Sequence, residues 1–289
     1  MEIIDCGKVR EKILQSVKSY VSYVQKDFGE TMKLVVIQVE GDAASDVYVR
    51  NKLKTCEQVG IECEVVKLPN DCDPYELTET IEAYKDDVNT TALMLQLPLP
   101  SHFGDPQYYL NMIPYNKDAD GLSNASISKL WTHEKGTPYW FIAPATALGI
   151  TWLLPEDLSG KTVCILGRSK LVGQPLVKLL LEMNATVTVC HSKTNGIYEL
   201  MENADIIISA IGKPKFIKYN SSLDGKMFID VGINRDENGK LCGDLDIDTF
   251  KESSCKITPV PKGVGILTTA QLAANVSSAH AITTLKKTI

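Results

Sequence analysis

A tyrosine and a lysine, Tyr48 and Lys52, stand four residues apart in a stretch whose apolar pattern predicts a helix over residues 46–59, with Ser45 as its N-cap. Residues four apart lie on one face of a helix, so the phenol and the amine are predicted to be neighbours. A phenol beside an amine is suited to proton transfer. Ordinary surface pairs show the same spacing, so it leaves both interpretations open.

A third polar side chain, Gln96, interrupts an apolar run over residues 91–97 that predicts a buried strand. Gln96 stands near the carboxyl end of this strand. Ligands of open α/β sheets bind beyond the carboxyl ends of the strands. Gln96 is therefore predicted to lie in the same region as Tyr48 and Lys52.

A second group of residues that could bind a ligand follows the apolar run over residues 162–166. The run, the small residues after it and a leucine-rich helical pattern predict a strand, a tight turn and a helix, an arrangement that directs helix N–H groups toward a phosphate. The turn departs from the G-x-G-x-x-G spacing, because Ser169 and Val172 occupy two glycine positions of that pattern while Gly167 and Gly173 flank them. An ordinary strand–helix connection is the alternative on these residues alone.

The next predicted strand, residues 185–190, ends in His191-Ser192-Lys193. Sites that prefer NAD usually carry an Asp or Glu at this place, which accepts a hydrogen bond from the ribose 2′-OH. Here cations and hydroxyls replace the carboxylate, and Arg168 adds a further cation in the preceding turn. The residues predict NADP rather than NAD, with a solvated basic turn as the alternative.

The overall composition restricts the class of protein. With 289 residues, the chain accommodates one large domain or two ordinary ones. A net charge of −6 without a long basic cluster argues against nucleic-acid binding. No apolar run approaches the ~20 residues of a membrane span, and the first residues lack a signal-peptide pattern, so no membrane association and a cytoplasmic location are expected.

The sequence predicts no metal site. The eight cysteines include no C-x-x-C pair, and Cys190-His191 has no second pair at ligand spacing, so buried reduced thiols are expected. The charged loop over residues 114–121 lacks the 12-residue ligand pattern and terminal Glu of a calcium loop. A solvated turn is the alternative interpretation of that loop.

Several motifs taken together, in order along the chain, resemble those of the methylenetetrahydrofolate dehydrogenase/methenyltetrahydrofolate cyclohydrolase family of the bacterial bifunctional FolD type. The resemblance covers essentially the whole chain. The matching segments are S-x-x-Y-V-x-x-K at 45–52, Q-L-P-L-P at 96–100, K-D-x-D-G at 117–121, G-R-S-x-x-V-G-x-P at 167–175, H-S-x-T at 191–194, D-V-G-I-N at 230–234 and the loop at 259–268.

The resemblance implies a two-domain α/β fold with a cleft between the domains. Residues 1–140 would form a folate-binding catalytic domain, onto which a final helix over residues 268–289 would pack back. Residues 141–267 would form a Rossmann-like NADP-binding domain. A homodimer formed through the cofactor domains is also implied.

The implied activity is NADP-dependent oxidation of 5,10-methylenetetrahydrofolate to 5,10-methenyltetrahydrofolate and hydrolysis of the product to 10-formyltetrahydrofolate, with tetrahydrofolate or its polyglutamate as substrate, in one-carbon metabolism. Lys52 would be the catalytic amine, Gln96 would tune it, and Tyr48 would stack near the folate. Asp120, together with Asp118, would hold the pterin edge. The remaining implied substrate contacts are Leu97, Pro98, Pro261 and Gly263. The implied cofactor contacts are Gly167, Arg168, Ser169, Val172, Gly173, His191, Ser192, Gly212, Gly232 and Ile233.

The chain departs from the family pattern at a few positions. Ala145 and Ala147 replace the Cys and second Pro of P-C-T-P, Glu40 replaces a usual Gly, and Lys262 and Ile266 replace a Gly and a Pro of the P-G-G-V-G-P loop. The last two changes fall where substrate and nicotinamide should meet. They keep a monofunctional dehydrogenase open as an alternative.

Two further alternatives belong to other functional classes. A non-catalytic NADP-binding or redox-sensing module would bind the cofactor without folate turnover. Another NADP oxidoreductase with a small acidic substrate would leave the motifs at 45–52 and 96–100 without a role.

Overall fold

The computed structural model describes residues 1–133 and 141–288. The predicted domain boundary after residue 140 therefore lies at the edge of a segment outside the described residues. The described chain divides into two compact units, a first unit of residues 12–145 and 269–289 and a second unit of residues 1–11 and 146–268.

The helices and strands alternate along most of the chain. The α-helices are α1 (Cys6–Phe28), α2 (Ala43–Gln58), α3 (Pro74–Asp86), α4 (Pro106–Leu110), α5 (Asn124–Thr132), α6 (Ala145–Thr151), α7 (Gly173–Glu182), α8 (Ile197–Glu202) and α9 (Val264–Thr288). The strands are β1 (Glu2–Ile3), β2 (Lys33–Val39), β3 (Glu62–Leu68), β4 (Ala92–Leu95), β5 (Thr162–Leu166), β6 (Thr186–Cys190), β7 (Ile206–Ser209), β8 (Met227–Asp230), β9 (Asn234–Arg235), β10 (Leu241–Cys242) and β11 (Lys256–Ile257).

The first unit is built on a parallel sheet of three strands in the order β3-β2-β4. The central strand β2 is apolar and buried along almost its whole length, as expected for a strand covered on both faces. On one face, Val35 and Ile37 of β2 pack with Leu93 of β4 and with Leu77 and Ile81 of α3. Ile37 is opposite Leu95, so the carboxyl ends of β2 and β4 lie side by side.

The C-terminal part of α9 belongs to the first unit. His280 on α9 lies between two groups on or after α1: its Nδ1 is 3.1 Å from the Tyr20 hydroxyl, and its Nε2 is 2.8 Å from Glu30 Oε2. These contacts connect the end of the chain to residues about 250 positions earlier.

The second unit contains a six-stranded parallel sheet in the order β1-β11-β8-β7-β5-β6. From β5 the chain moves first to β6 on one side and later to β7 on the other. The order reverses at β5, which is the place where open α/β sheets bind ligands beyond the carboxyl ends of their strands.

The first residues of the chain differ from the prediction. Glu2 and Ile3 pair in parallel with Lys256 and Ile257 at the edge of the second sheet, and residues 1–11 therefore belong to the second unit rather than to a domain spanning 1–140. A two-residue edge strand is too short to give a periodic sequence signal.

The described residues include no group of three or more His, Cys, Asp or Glu side chains placed to hold a metal ion. Within residues 1–133 and 141–288, none of the helices is both long and apolar enough to cross a membrane. All eight cysteines are free thiols, and six of them are buried.

Candidate active site

Helix α2 begins earlier than predicted, at Ala43 instead of Asp46. Asp42, rather than Ser45, occupies the capping position: its carboxylate accepts hydrogen bonds from the Ser45 backbone N–H over 3.1 Å and from the Ser45 hydroxyl over 2.7 Å. A carboxylate that satisfies an otherwise unpaired N–H of the first turn stabilises the helix start. The cap fixes the beginning of the helix that carries Tyr48 and Lys52.

The Lys52 amino group is the centre of the site in the first unit. Its Nζ lies 3.2 Å from Gln96 Oε1, 3.5 Å from Asp120 Oδ2 and 3.2 Å from Met94 Sδ. The side chains of Lys52 and Asp120 are only 12% and 17% exposed. A helix, a strand end and a loop thus bring together an amine, an amide acceptor and a carboxylate in a place largely shielded from water.

The amide of Gln96 is held by the sheet. Its backbone N–H donates to the Ile37 carbonyl over 2.8 Å, which continues the β2–β4 ladder by one residue beyond β4. Met94 and Gln96 are two residues apart and point to the same face of β4, and both contact Lys52 on α2. The sheet register therefore sets the position of the acceptor for Lys52.

Gln38, which the sequence did not single out, lies beside Gln96 on the neighbouring strand. Its Nε2 donates to Asp46 Oδ1 over 2.9 Å, and Lys67, opposite Gln38 on β3, approaches the same oxygen at 3.4 Å. These contacts lower the pKa of Asp46, with the Gln38 hydrogen bond as the largest cause. Gln38 Oε1 is buried and has no hydrogen-bond partner among the described residues.

Tyr48 lies on α2 one turn before Lys52, and 40% of its surface is exposed. Leu97 and Pro98 follow Gln96 directly, are joined by a cis peptide bond and are half-buried and exposed, respectively. The predicted substrate contacts of the first unit therefore surround the carboxyl end of β4.

Asp118 is buried, with 1% exposure. Its carboxylate accepts from the Gly121 N–H over 3.0 Å, the Ser123 N–H over 2.8 Å and the Ser126 hydroxyl over 2.7 Å. Burial raises the pKa of this carboxyl group. The geometry favours a role in shaping the Asp120 loop over the direct substrate contact expected from the sequence.

The second unit carries the turn predicted to receive a phosphate. Gly167 has φ +121°, and a Cβ at this position would lie 2.4 Å from the Ala210 carbonyl oxygen. Gly173 begins α7, and a Cβ there would lie 2.2 Å from the Gly167 carbonyl oxygen. Ser169 closes the turn, because its hydroxyl accepts from the Val172 N–H over 3.2 Å. Both glycines are required for so close a passage of the backbone.

All ten predicted cofactor residues follow the carboxyl ends of four adjacent strands, β6, β5, β7 and β8. Beyond β6, the Lys193 N–H donates to His191 Nδ1 over 3.1 Å, which fixes the orientation of the imidazole ring. Arg168 and Ser192 are exposed. Hydroxyl, imidazole and guanidinium groups therefore lie beyond the carboxyl ends of β5 and β6.

Asp244, which gave no sequence signal, organises two of these turns. It is fully buried, and its carboxylate accepts from the Ser209 hydroxyl, the backbone N–H groups of Ile211, Gly212 and Lys213 and the Asn234 side-chain amide over 2.8–3.3 Å. A Cβ on Gly232 would lie 2.3 Å from Asp244 Oδ1. The turns that contain Gly212 and Gly232 are thus formed around one carboxylate.

A second buried carboxylate, Asp230, holds the backbone of Asp244. It accepts from the N–H groups of Gly232, Asp244 and Leu245 over 2.9–3.0 Å. Burial raises its pKa to about 6, although the backbone hydrogen bonds act in the opposite direction.

The loop before α9 contains Pro261 and Gly263, which belong to the second unit. Lys262 between them has φ +70°, the left-handed conformation that favours glycine. The Lys262 side chain is exposed. The replacement of a family glycine by Lys262 therefore leaves a glycine-type backbone conformation in place.

Comparison with known proteins identifies the family of this chain. Residues 4–120 match the model for the tetrahydrofolate dehydrogenase/cyclohydrolase catalytic domain, and residues 144–284 match the model for the NAD(P)-binding domain of the same family. The chain belongs to the tetrahydrofolate dehydrogenase/cyclohydrolase family. The resemblance found in the sequence is thereby confirmed.

Family relatives match along the whole chain. The bifunctional protein FolD of Lactococcus lactis subsp. cremoris is 40% identical over 275 residues, which cover 94% of each chain. The crystal structure of the FolD methylenetetrahydrofolate dehydrogenase/cyclohydrolase from Campylobacter jejuni has a TM-score of 0.89 and 34% identity over 100% of both chains. These matches confirm the predicted two-domain α/β class.

A third family member bears on the cofactor. The Trypanosoma brucei methylenetetrahydrofolate dehydrogenase-cyclohydrolase, solved in complex with NADP and an inhibitor, has a TM-score of 0.88 and 29% identity over 98% of both chains. Tyr48, Lys52, Gln96 and Asp120 fall within the catalytic-domain match, and all ten predicted cofactor residues fall within the NAD(P)-binding match.

Proposed function

We propose that this protein oxidises 5,10-methylenetetrahydrofolate to 5,10-methenyltetrahydrofolate with NADP⁺ and hydrolyses the product to 10-formyltetrahydrofolate. The observation that carries the proposal is the placement of Lys52 Nζ within 3.2 Å of Gln96 Oε1 and 3.5 Å of Asp120 Oδ2. This set of groups lies at the carboxyl end of a parallel sheet, in a chain of the tetrahydrofolate dehydrogenase/cyclohydrolase family.

The second unit fits a dinucleotide. The Gly167–Gly173 turn leaves no room for a Cβ at either glycine, as expected where a backbone must pass close to a pyrophosphate. Arg168 and Ser192 would hold the 2′-phosphate of NADP, and the turns at Gly212, Gly232 and Ile233 would line the rest of the site. When bound, NADP⁺ accepts a hydride from the methylene carbon of the folate.

Lys52 would serve the hydrolytic step as general base and then as general acid. Its neutral amine takes one proton from the water that adds to the methenyl carbon. Its ammonium then returns that proton to the folate nitrogen whose bond to the carbon breaks, while the second proton of the water passes to solvent as the formyl C=O forms. Positioned proton transfer of this kind contributes roughly 10²–10⁴-fold to rates.

The neighbours of Lys52 would position it and the substrate. Gln96 Oε1 accepts from the amine and restricts its orientation. Asp120 would accept from N–H donors at the pterin edge, and the exposed ring of Tyr48 would stack on the folate. Leu97 and Pro98 would complete the substrate contacts of the first unit, and Pro261 and Gly263 are the substrate contacts proposed for the second unit.

The folate substrate is a tetrahydrofolate or its polyglutamate. In this proposal the first unit binds the folate and the second unit binds NADP. The protein would act in the cytoplasm as a homodimer formed through the cofactor-binding units.

A monofunctional dehydrogenase is the second candidate, because Lys262 and Ile266 depart from the family loop. The left-handed backbone of Lys262 and the intact Lys52 cluster argue for both activities.

One assay distinguishes these functions. Purified protein is mixed with methylenetetrahydrofolate and either NADP⁺ or NAD⁺, and the reduced cofactor and the later decay of the methenyl product are followed by absorbance. Turnover that prefers NADP⁺, with enzyme-dependent methenyl decay, supports the bifunctional proposal. Reduction without accelerated decay supports the monofunctional candidate, and no turnover with either cofactor contradicts both.

A further inference from the structure

A buried asparagine on the last helix, Asn275, contacts the loop that carries Asp120. Asn275 has 0% exposure. Its Nδ2 donates to the Ala119 carbonyl over 2.8 Å and to the Ala143 carbonyl over 3.0 Å, and its Oδ1 accepts from Gln271 Nε2 over 3.2 Å. The two carbonyls fix the orientation of the amide, because a flipped amide would place its oxygen against both of them.

The two carbonyls held by Asn275 belong to backbone segments that run side by side. The Ala145 N–H donates to the Asp120 carbonyl over 3.4 Å. Gly121 has φ +69°, and a Cβ on it would lie 2.4 Å from the Ala143 carbonyl carbon. One side-chain amide therefore joins the peptide immediately before Asp120 to the segment packed against it.

The loop that Asn275 holds carries Asp120, which contacts Lys52. Asp120 Oδ2 is 3.5 Å from Lys52 Nζ, a distance at which a small displacement of the loop removes the hydrogen bond. We propose that Asn275 is a positioning residue that sets the place of Asp120 relative to Lys52. This inference rests on the proposed function of the Lys52–Asp120 pair.

Asn275 lies in one domain by sequence, but its contacts lie in the other structural unit. Asn275 falls within the match to the NAD(P)-binding domain, residues 144–284. Its contacts lie instead in the first unit, 156 residues from Ala119 and 132 residues from Ala143. The C-terminal helix thus contributes a residue to the folate-side site.

Asn275→Ala removes both donors, and Ser277→Ala is its matched control. Ser277 is also a buried polar residue of α9, but its hydroxyl bonds the Ala273 carbonyl of the same helix. Each change is made in the wild type and in an Asp120→Asn background. We expect Asn275→Ala to lower kcat for methenyl hydrolysis roughly tenfold or more in the wild type, because a small misplacement of a group that positions substrate and Lys52 slows the reaction by such factors. Little further loss is expected in the Asp120→Asn background, and Ser277→Ala should change neither protein.

The double-variant comparison separates positioning from a general structural role, because residues that act through one another give non-additive losses. Equal losses from Asn275→Ala in both backgrounds, or no loss in the wild type, would overturn the inference. If Asn275→Ala does not fold, Asn275→Leu, which has nearly the same size and branching and leaves no cavity, removes the same donors and is compared in the same way.

A second readout does not depend on activity. Hydrogen exchange of the backbone amides over residues 118–123 should accelerate in Asn275→Ala and stay unchanged in Ser277→Ala. Unchanged exchange in both variants would contradict the positioning role. If the wild type shows no folate turnover, the proposed function fails, and the exchange result still decides whether Asn275 holds the loop.

Discussion

Gln96 Oε1 and Lys52 Nζ lie 3.2 Å apart, and the backbone of Gln96 is bonded to Ile37 of the adjacent strand. Because the acceptor is fixed by the sheet, the amine is held by a rigid element rather than by a loop. Such support is what a proton-transfer group needs to keep its position during a reaction.

Replacement of Gln96 by a side chain of similar size without an acceptor oxygen tests this relationship. We expect Gln96→Met to lower kcat for methenyl hydrolysis about tenfold, because Lys52 loses the group that orients it. Gln38→Met is the control, since Gln38 is also buried, on the neighbouring strand, but bonds Asp46 instead of Lys52. Steady-state kinetics check both variants, and equal rates for the two would contradict the role of Gln96.

Arg168 is exposed in the turn after β5 and is proposed to bind the 2′-phosphate. Hydrogen bonds to charged groups contribute about 1.5–3 kcal/mol, so Arg168→Ala should raise the KM for NADP⁺ roughly 10- to 100-fold. The KM for NAD⁺ should stay within about threefold, because NAD⁺ lacks that phosphate. An equal rise in the KM for both cofactors would show that Arg168 stabilises the turn and does not bind the 2′-phosphate.

Asp230 predicts a pH dependence of stability. Its pKa is about 6 in the folded chain against a value of 3.8 without burial. A raised pKa means that the folded chain binds the proton more tightly, so the contribution of Asp230 to the free energy of unfolding is complete below about pH 4 and is lost as the pH rises through about 6. The loss amounts to about 3 kcal/mol.

Asp230→Asn isolates this contribution, because the amide does not titrate. The free energy of unfolding of the wild type minus that of the variant should fall by about 3 kcal/mol between pH 3 and pH 7 in urea titrations. Asp248→Asn is the control, since Asp248 is exposed and its pKa is lowered by Lys251. A pH-independent difference for Asp230→Asn would contradict the burial argument.

The backbone of Lys262 predicts the effect of restoring glycine. A non-glycine residue in the left-handed region costs roughly 1 kcal/mol, partly offset by the greater freedom of glycine in the unfolded chain. Lys262→Gly should therefore raise the free energy of unfolding by about 0.5 kcal/mol. Lys240→Gly, at an exposed position without a positive φ, should lower it. Destabilisation by both changes, measured in urea, would contradict the assignment of strain to Lys262.

The sequence predicted much of the local structure. Strands β2 and β5 and the turn at Gly167 follow from apolar runs and small residues next to one another in the chain, which is the information that periodicity carries. Lys52 and Gln96 could be placed in one region because Lys52 lies on the helix after β2 and Gln96 lies at the end of β4, a strand of the same sheet. Their contact at 3.2 Å depends on register, which the sequence did not provide.

The supporting residues could not be predicted in this way. Asn275 donates to backbone carbonyls 132 and 156 residues away, and Asp244 accepts from backbone N–H groups 31–33 residues away. Neither residue interrupts a periodic pattern that would mark it. The cap of α2 was misassigned to Ser45 because Asp42 and Ser45 are both good capping residues, and the three-dimensional path of the turn decides between them.

Replacing Lys52 by arginine shows whether the Lys52 amine carries the hydrolytic step. Lys52→Arg keeps the positive charge but removes an amine able to lose its proton, and Lys54→Arg changes an exposed lysine of the same helix. In one cuvette, NADP⁺ reduction by methylenetetrahydrofolate and the decay of the methenyl product are followed for both variants, with NADP⁺ affinity measured separately. We expect Lys52→Arg to lose methenyl hydrolysis at least about 100-fold and to bind NADP⁺ as the wild type does, while Lys54→Arg retains both. Methenyl hydrolysis at the wild-type rate in Lys52→Arg would show that another group carries the hydrolytic step.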